Sequence, residues 1–220
     1  MFRWLGVLGR YSTKTMFTVL ALAVAAYAFT FLYRPFETGN AFATQFAISG
    51  IDVPLHFFIG GLSLVLAPIQ LSSALRRRVP ALHRFLGWLY SVSVLVGSIT
   101  GFTLALNAQG GIPSRVSFIA MSLMWPLFTG LAIWCAIARD YAAHRRWMFR
   151  SVALTYSAVT LRLVLGIGFG ALQLPFIPVY IAAAWLGWSI NLAVCEILLR
   201  WPTRSLRRGA TAAATASTAH

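Results

Sequence analysis

The sequence predicts an all-α fold: a polytopic membrane helix bundle of six transmembrane helices with both termini in the cytoplasm. Three observations predict it. The chain is 59% hydrophobic with a mean hydropathy of +0.76. Its apolar residues gather in six long runs, at about 15–33, 53–75, 85–106, 116–138, 151–172 and 179–199. Nearly all the positive charge is packed into alternate gaps between those runs. Each run is roughly 19 to 23 residues, enough to cross a ~30 Å hydrocarbon core at 1.5 Å per residue. Each must be a helix, because lipid offers no partner to an exposed backbone N–H or C=O.

The first run follows Arg3, Arg10 and Lys14. Its small-residue stretch Ala23-Val24-Ala25 resembles a leader cleavage site, but the apolar run continues into Phe29-Thr30-Phe31, so it is expected to remain as a span. The connection from Arg34 to Asp52 is long for a helix hairpin. Its Phe36, Phe42, Phe46 and Ile48 suggest a segment lying on the outer surface or dipping back among the helices. The second run opens with Asp52 as a cap and Pro54 in the first turn. Arg76, Arg77, Arg78 and Arg84 separate the second run from the third, and Arg139, Arg145, Arg146 and Arg150 separate the fourth from the fifth. Arg200, Arg204, Arg207 and Arg208 follow the sixth.

Fifteen of the 18 basic residues therefore flank one side, against Arg34 and Arg115 on the other, with Arg162 inside a span. Positive charge marks the cytoplasmic side, which places both termini there. The +14 net charge is thus a topology signal and an attraction for anionic lipid headgroups; no separate domain exists to carry nucleic-acid binding. All but one of the basic residues are arginine, which with the abundant alanine suggests a bacterial chain and the inner membrane. Residues 1–208 read as a single six-span domain and 209–220 as a disordered Ala/Thr-rich tail. Cys135 and Cys195 both fall near cytoplasmic helix ends, where a disulfide is not expected.

Polar residues inside the spans fall in stripes. His56, Gly60, Ser63, Ala67 and Gln70 keep one face of the second helix, and His83, Gly87, Tyr90, Val94, Gly97 and Gly101 one face of the third. The fifth carries Ser151, Thr155, Ala158 and Arg162, with His144 two turns earlier. Small residues on such stripes let helices approach closely, which accounts for them without any function. It does not account for His56 or Arg162. A central arginine costs at least ~2.5–3.5 kcal/mol on insertion scales, so Arg162 should have a partner. Glu196 is the first choice, being the only acid well inside an expected helix. His56 is one turn from Asp52 and could hydrogen-bond it.

Two segments carry a resemblance. One is Leu82-His83-Arg84-x-x-Gly87-x-x-Tyr90. The other runs from His144-Arg145-Arg146-Trp147-Met148-x-Arg150-Ser151 through Thr155 to Arg162, with Gly110-Gly111 and Trp125 between the two. In order and spacing, residues 50 to 175 or so resemble the bacterial multi-pass membrane proteins grouped as domain of unknown function family 2306. The resemblance implies a membrane fold and marks these residues, and it implies no activity. Trp147 and Tyr90 suit an interfacial aromatic belt.

Three functions are compatible with these residues. The first is a b-type haem or quinone protein, with His83 and His144 on the same side lining one pocket with Arg84 and Arg145, and His56 near the opposite side. The second is a carrier for a small molecule or anion, using Arg162 at the midplane. The third is a non-catalytic assembly protein. No Ser-His-Asp set, phosphate loop or zinc pattern is present, so no catalytic residue or metal site is assigned.

Overall fold

The computed structural model describes residues 2–33 and 50–200, with the backbone alone for 2–13, 31 and 33. Most of the long connection from Arg34 to Asp52, the expected tail and the arginines after Arg200 lie outside the described residues. All regular structure among the described residues is helical. Helix α1 (Phe2–Tyr33) is followed by α2 (Asp52–Gln70), the short α3 (Ser73–Arg78), α4 (Pro80–Ala105) and α5 (Ile112–Ile137). Then come α6 (Tyr141–Thr155), α7 (Ser157–Leu165), a π-helical turn (Gly166–Ala171) and α8 (Phe176–Arg200). Helices α2, α4, α5 and α8 and the joined segment Tyr141–Ala171 are long and apolar enough to span a membrane, five among the described residues; α1 adds the shorter apolar stretch Lys14–Thr30.

Local chemistry sets the boundaries. The second span stops at Gln70, short of the expected 75, because the Ser72 side chain accepts the Leu75 N–H at 3.3 Å and starts α3 instead. The fifth starts ten residues earlier than its apolar run, at Tyr141, because Asp140 caps it by accepting the Ala143 N–H at 2.9 Å. His144 and the arginines beside it are therefore on the helix, not in a loop before it. Asp52 does not cap α2: Ile51 stands at the cap, and Asp52 acts from the first turn through the helix dipole.

The fifth span is continuous in direction but interrupted twice. It breaks at Tyr156 and loosens again at the glycine run, where the Leu172 N–H reaches back to the Ile167 carbonyl at 2.8 Å. Gly168 sits so close to α8 that a Cβ there would lie 2.6 Å from Val179 Cγ1.

The expected stripes are the buried faces. Ser63, Ala67 and Gln70 of α2 and Tyr90, Val94 and Gly97 of α4 are buried, and so are Ser151 and Thr155 of α6. Helix α2 packs between α1 and α4, α5 between α4 and α6, and α8 against α5, α6 and α7. Polar side chains fasten α8. Ser117 Oγ donates to the Ala184 carbonyl at 2.8 Å and accepts the Trp188 indole N–H at 2.9 Å. Thr160 donates to Asn191 Oδ1 at 2.9 Å, and Asn191 in turn donates to the Ala153 carbonyl at 3.2 Å. Cys135 and Cys195 are buried free thiols.

Candidate functional site

Three polar clusters are stacked through the bundle. The middle one joins α4, α5 and α6. Tyr90 Oη lies 2.9 Å from Ser151 Oγ and 2.7 Å from Thr155 Oγ1, the Trp125 indole N–H donates to Thr155 Oγ1 at 3.1 Å, and Thr129 Oγ1 lies 2.7 Å from Ser151 Oγ. Every hydrogen has a destination. Thr155 donates to the Ser151 carbonyl and Thr129 to the Trp125 carbonyl, so Ser151 and Tyr90 donate within the cluster. All five residues are buried. Tyr90 is thus not an interfacial belt residue: α4 begins ten residues before it, roughly 15 Å away, so its ring lies deep in the bundle and its hydroxyl must be satisfied there. Trp147 does lie toward the arginine-rich end, but it packs inward on Phe128 with ring centroids 5.3 Å apart.

The cluster nearer the arginine-poor end contains His56 and Arg162. His56 Nδ1 lies 3.2 Å from the Gly97 carbonyl and 3.1 Å from Thr100 Oγ1. Thr100 spends its own hydrogen on the Val96 carbonyl, and a carbonyl only accepts, so Nδ1 carries the proton and Nε2 the lone pair. The expected bond to Asp52 does not form; α4 supplies the partners instead. Gly101 makes room for the ring, since a Cβ there would stand 3.2 Å from His56 Cε1. Arg162 lies within electrostatic reach of His56, its Nη1 donates to the Ala158 carbonyl at 2.9 Å, and its Cζ sits 5.5 Å from the centre of the Tyr27 ring.

Glu196 is not the partner of Arg162. Arg150 Nε donates to Glu196 Oε1 and Arg150 Nη2 to Oε2 at 3.2 Å, while Arg200 Nε approaches Oε2 at 3.4 Å. The reason is axial distance. Arg162 is twelve residues beyond Arg150 on the same span, roughly 18 Å further from the arginine-rich end. Arg150 also stacks on Trp147, with Cζ 4.6 Å from the ring centre. The paired side chains are only 20% and 29% exposed, so the pair is worth more than a surface ion pair. A double-mutant cycle on Arg150→Met and Glu196→Gln, read by thermal unfolding in detergent, should give a coupling of about 1–2 kcal/mol. A coupling near zero would reduce the pair to a surface contact.

The third cluster is at the arginine-rich end. His83 on α4 and His144 on α6 lie within electrostatic reach of each other, and Arg76 and Arg84 are within the same reach of His83. His144 Nδ1 is 2.8 Å from the Ala132 carbonyl, so Nδ1 holds the hydrogen and Nε2 the lone pair. His83 Nδ1 is buried without a hydrogen-bond partner among the described atoms. Gln70 Nε2 holds the His83 backbone carbonyl at 3.3 Å and ties α2 to this corner. Arg145 is exposed and lies over the Phe149 ring at 5.4 Å. His56 belongs to the other cluster, toward the opposite end of the bundle.

Among the described residues no group of three or more His, Cys, Asp or Glu side chains converges as a metal site. The sequence pattern missed Thr129 and Thr100, and it missed Arg150 as the partner of Glu196. Only the spacing of Thr129 from Trp125, one helical turn, hinted at the first.

A family model described as "Predicted membrane protein (DUF2306)" matches residues 53–199, which extends the resemblance through α8. No curated protein and no solved structure matches the chain.

Proposed function

The chain belongs to the DUF2306 family of predicted membrane proteins, and on that premise we propose that it is a quinone-binding helix bundle of the bacterial inner membrane. The quinone head lies between His83 and His144 at the arginine-rich, cytoplasmic end. The observation that carries this reading is the pair of imidazoles left incomplete by the fold. His83 has a buried Nδ1 without a partner among the described atoms, and His144 is pinned so that its Nε2 offers a lone pair. A quinone head presents oxygens that accept hydrogen bonds when oxidised and donate them when reduced, and imidazole is the side chain able to answer both. Arg76 and Arg84 favour a reduced, anionic head, and with Arg145 they hold anionic lipid headgroups around the site.

A b-type haem is the second reading. The Nδ1 bond of His144 to a carbonyl is the arrangement that orients a metal-ligating histidine. The absorption spectrum and the organic extract of the purified protein separate the two. The expected result is a colourless protein that carries quinone in stoichiometric amount. His83→Ala and His144→Ala should each lower the quinone content by about fivefold or more, the worth of one buried hydrogen bond. A Soret band lost in both variants would move the site to haem. A colourless protein with no extractable quinone would remove the site.

A further inference from the structure

We propose a second binding site, for an oxyanion (a carboxylate or a phosphate), on Arg162 and His56 in the arginine-poor half of the bundle. Arg162 is nine residues from the end of the span Tyr141–Ala171, roughly 14 Å along the axis. A guanidinium has five N–H donors in a planar fork. In Arg162 one of these groups, Nη1, is spent on its own helix, and the Tyr27 ring covers a face. Among the described residues no carboxylate comes within ion-pair distance of it. Glu196 is held by Arg150 and Arg200, and Asp140 caps α6 at the other end. A charged side chain at membrane depth faces a partner or a wet cavity.

His56 makes the surroundings specific. Two groups of α4 hold its Nδ1, so the ring cannot turn away, and Gly101 packs against it: a Cβ there would lie 3.2 Å from His56 Cε1. The fold thus brings a fixed imidazole from α2 within electrostatic reach of a cation from α7, on helices that are not neighbours in sequence. An oxyanion seated on the guanidinium fork lies within electrostatic reach of His56.

The test uses the full chain in nanodiscs of zwitterionic phosphatidylcholine, with laurate as the probe and calorimetry as the readout. Saturable laurate binding is expected. Arg162→Gln should weaken it by at least about tenfold, the worth of a charge-assisted pair, and Arg162→Lys by less, since an ammonium keeps the charge but lacks the fork. Melting curves without laurate establish that both variants are folded. Binding not displaced by acetate or inorganic phosphate supports the site with a lipid-borne anion; displacement supports it with a soluble one. Three results would overturn the site: no saturable binding, equal binding in Arg162→Gln, or binding that emerges only in Glu37→Gln, a change at an acid outside the described residues. The last would make Arg162 half of an internal ion pair.

Discussion

Thr155→Val should lower the stability of the bundle by about 2–3 kcal/mol, more than any other single removal of a hydroxyl. Interhelical hydrogen bonds in membranes average only about 0.6 kcal/mol, because the unfolded chain in lipid also finds partners. Thr155 is different because its oxygen is the acceptor of two donors, the Trp125 indole and the Tyr90 hydroxyl. Valine has nearly the same shape and no acceptor. Tyr90 can turn its hydrogen to Ser151, but the indole N–H loses its acceptor at Thr155, and a buried donor that loses its acceptor costs roughly 1–3 kcal/mol. The loss of the Thr155 bond to the Ser151 carbonyl adds to this. Thermal unfolding in detergent measures the difference. Ser189→Ala is the control, since Ser189 bonds only to the carbonyl one turn back on its own helix, and it should change stability by less than about 0.5 kcal/mol. Equal effects from the two variants would show that the network does not hold α4, α5 and α6 together.

Gly110→Ala is expected to cost about 3–4 kcal/mol, through two effects that a neighbouring variant separates. Gly110 has φ +79° in the turn between α4 and α5, a conformation that L side chains resist. A Cβ there would also lie 2.6 Å from Ser114 Oγ and 2.8 Å from Ile181 Cγ1. The first contact crowds the start of α5, and the second pushes against α8. Overpacking of this kind adds roughly 1–3 kcal/mol to the backbone strain. Gly111 has φ +70° and ψ −149° but open space around it, so Gly111→Ala should show the strain alone, about 2 kcal/mol. If both variants melt together, the contact with Ile181 does not constrain α8. The adjacent glycines look equivalent in the sequence, and the positions of Ser114 and of Ile181 on α8 make one of them more demanding.

The same distinction runs through the site. The stripes on α2, α4 and α6 were legible because helix periodicity is local: residues three and four apart share a face whatever they pack against. Ser63, Ala67, Tyr90, Val94, Ser151 and Thr155 are buried as that rule requires. What each polar residue bonds to was not legible. His56 was expected to reach Asp52 one turn away and instead meets Gly97 and Thr100 on another helix. Glu196 was matched with Arg162 because both are charges inside spans, and its partner is Arg150, a residue counted among the flanking positives. Tyr90 suits the interfacial belt by residue type, and two hydroxyls of α6, Ser151 and Thr155, supply its polar partners inside the core.

The sequence by itself determined the membrane class, the helices and the faces they bury. Those follow from hydropathy over some twenty residues, from backbone hydrogen bonding in lipid, and from a period of 3.6. It also determined that charge gathers at one end, since alternate connections carry the arginines. The tertiary structure alone decided the pairings: which carboxylate meets which guanidinium, which hydroxyls close into a network, and that His56 bonds to α4 and not to Asp52. The physical reason is that a pairing depends on axial depth and helix neighbourhood together. A helix rises only 1.5 Å per residue, so a few residues of depth put two charges out of reach. The order in which helices pack is set by side chains distant in the chain, and no local pattern records it.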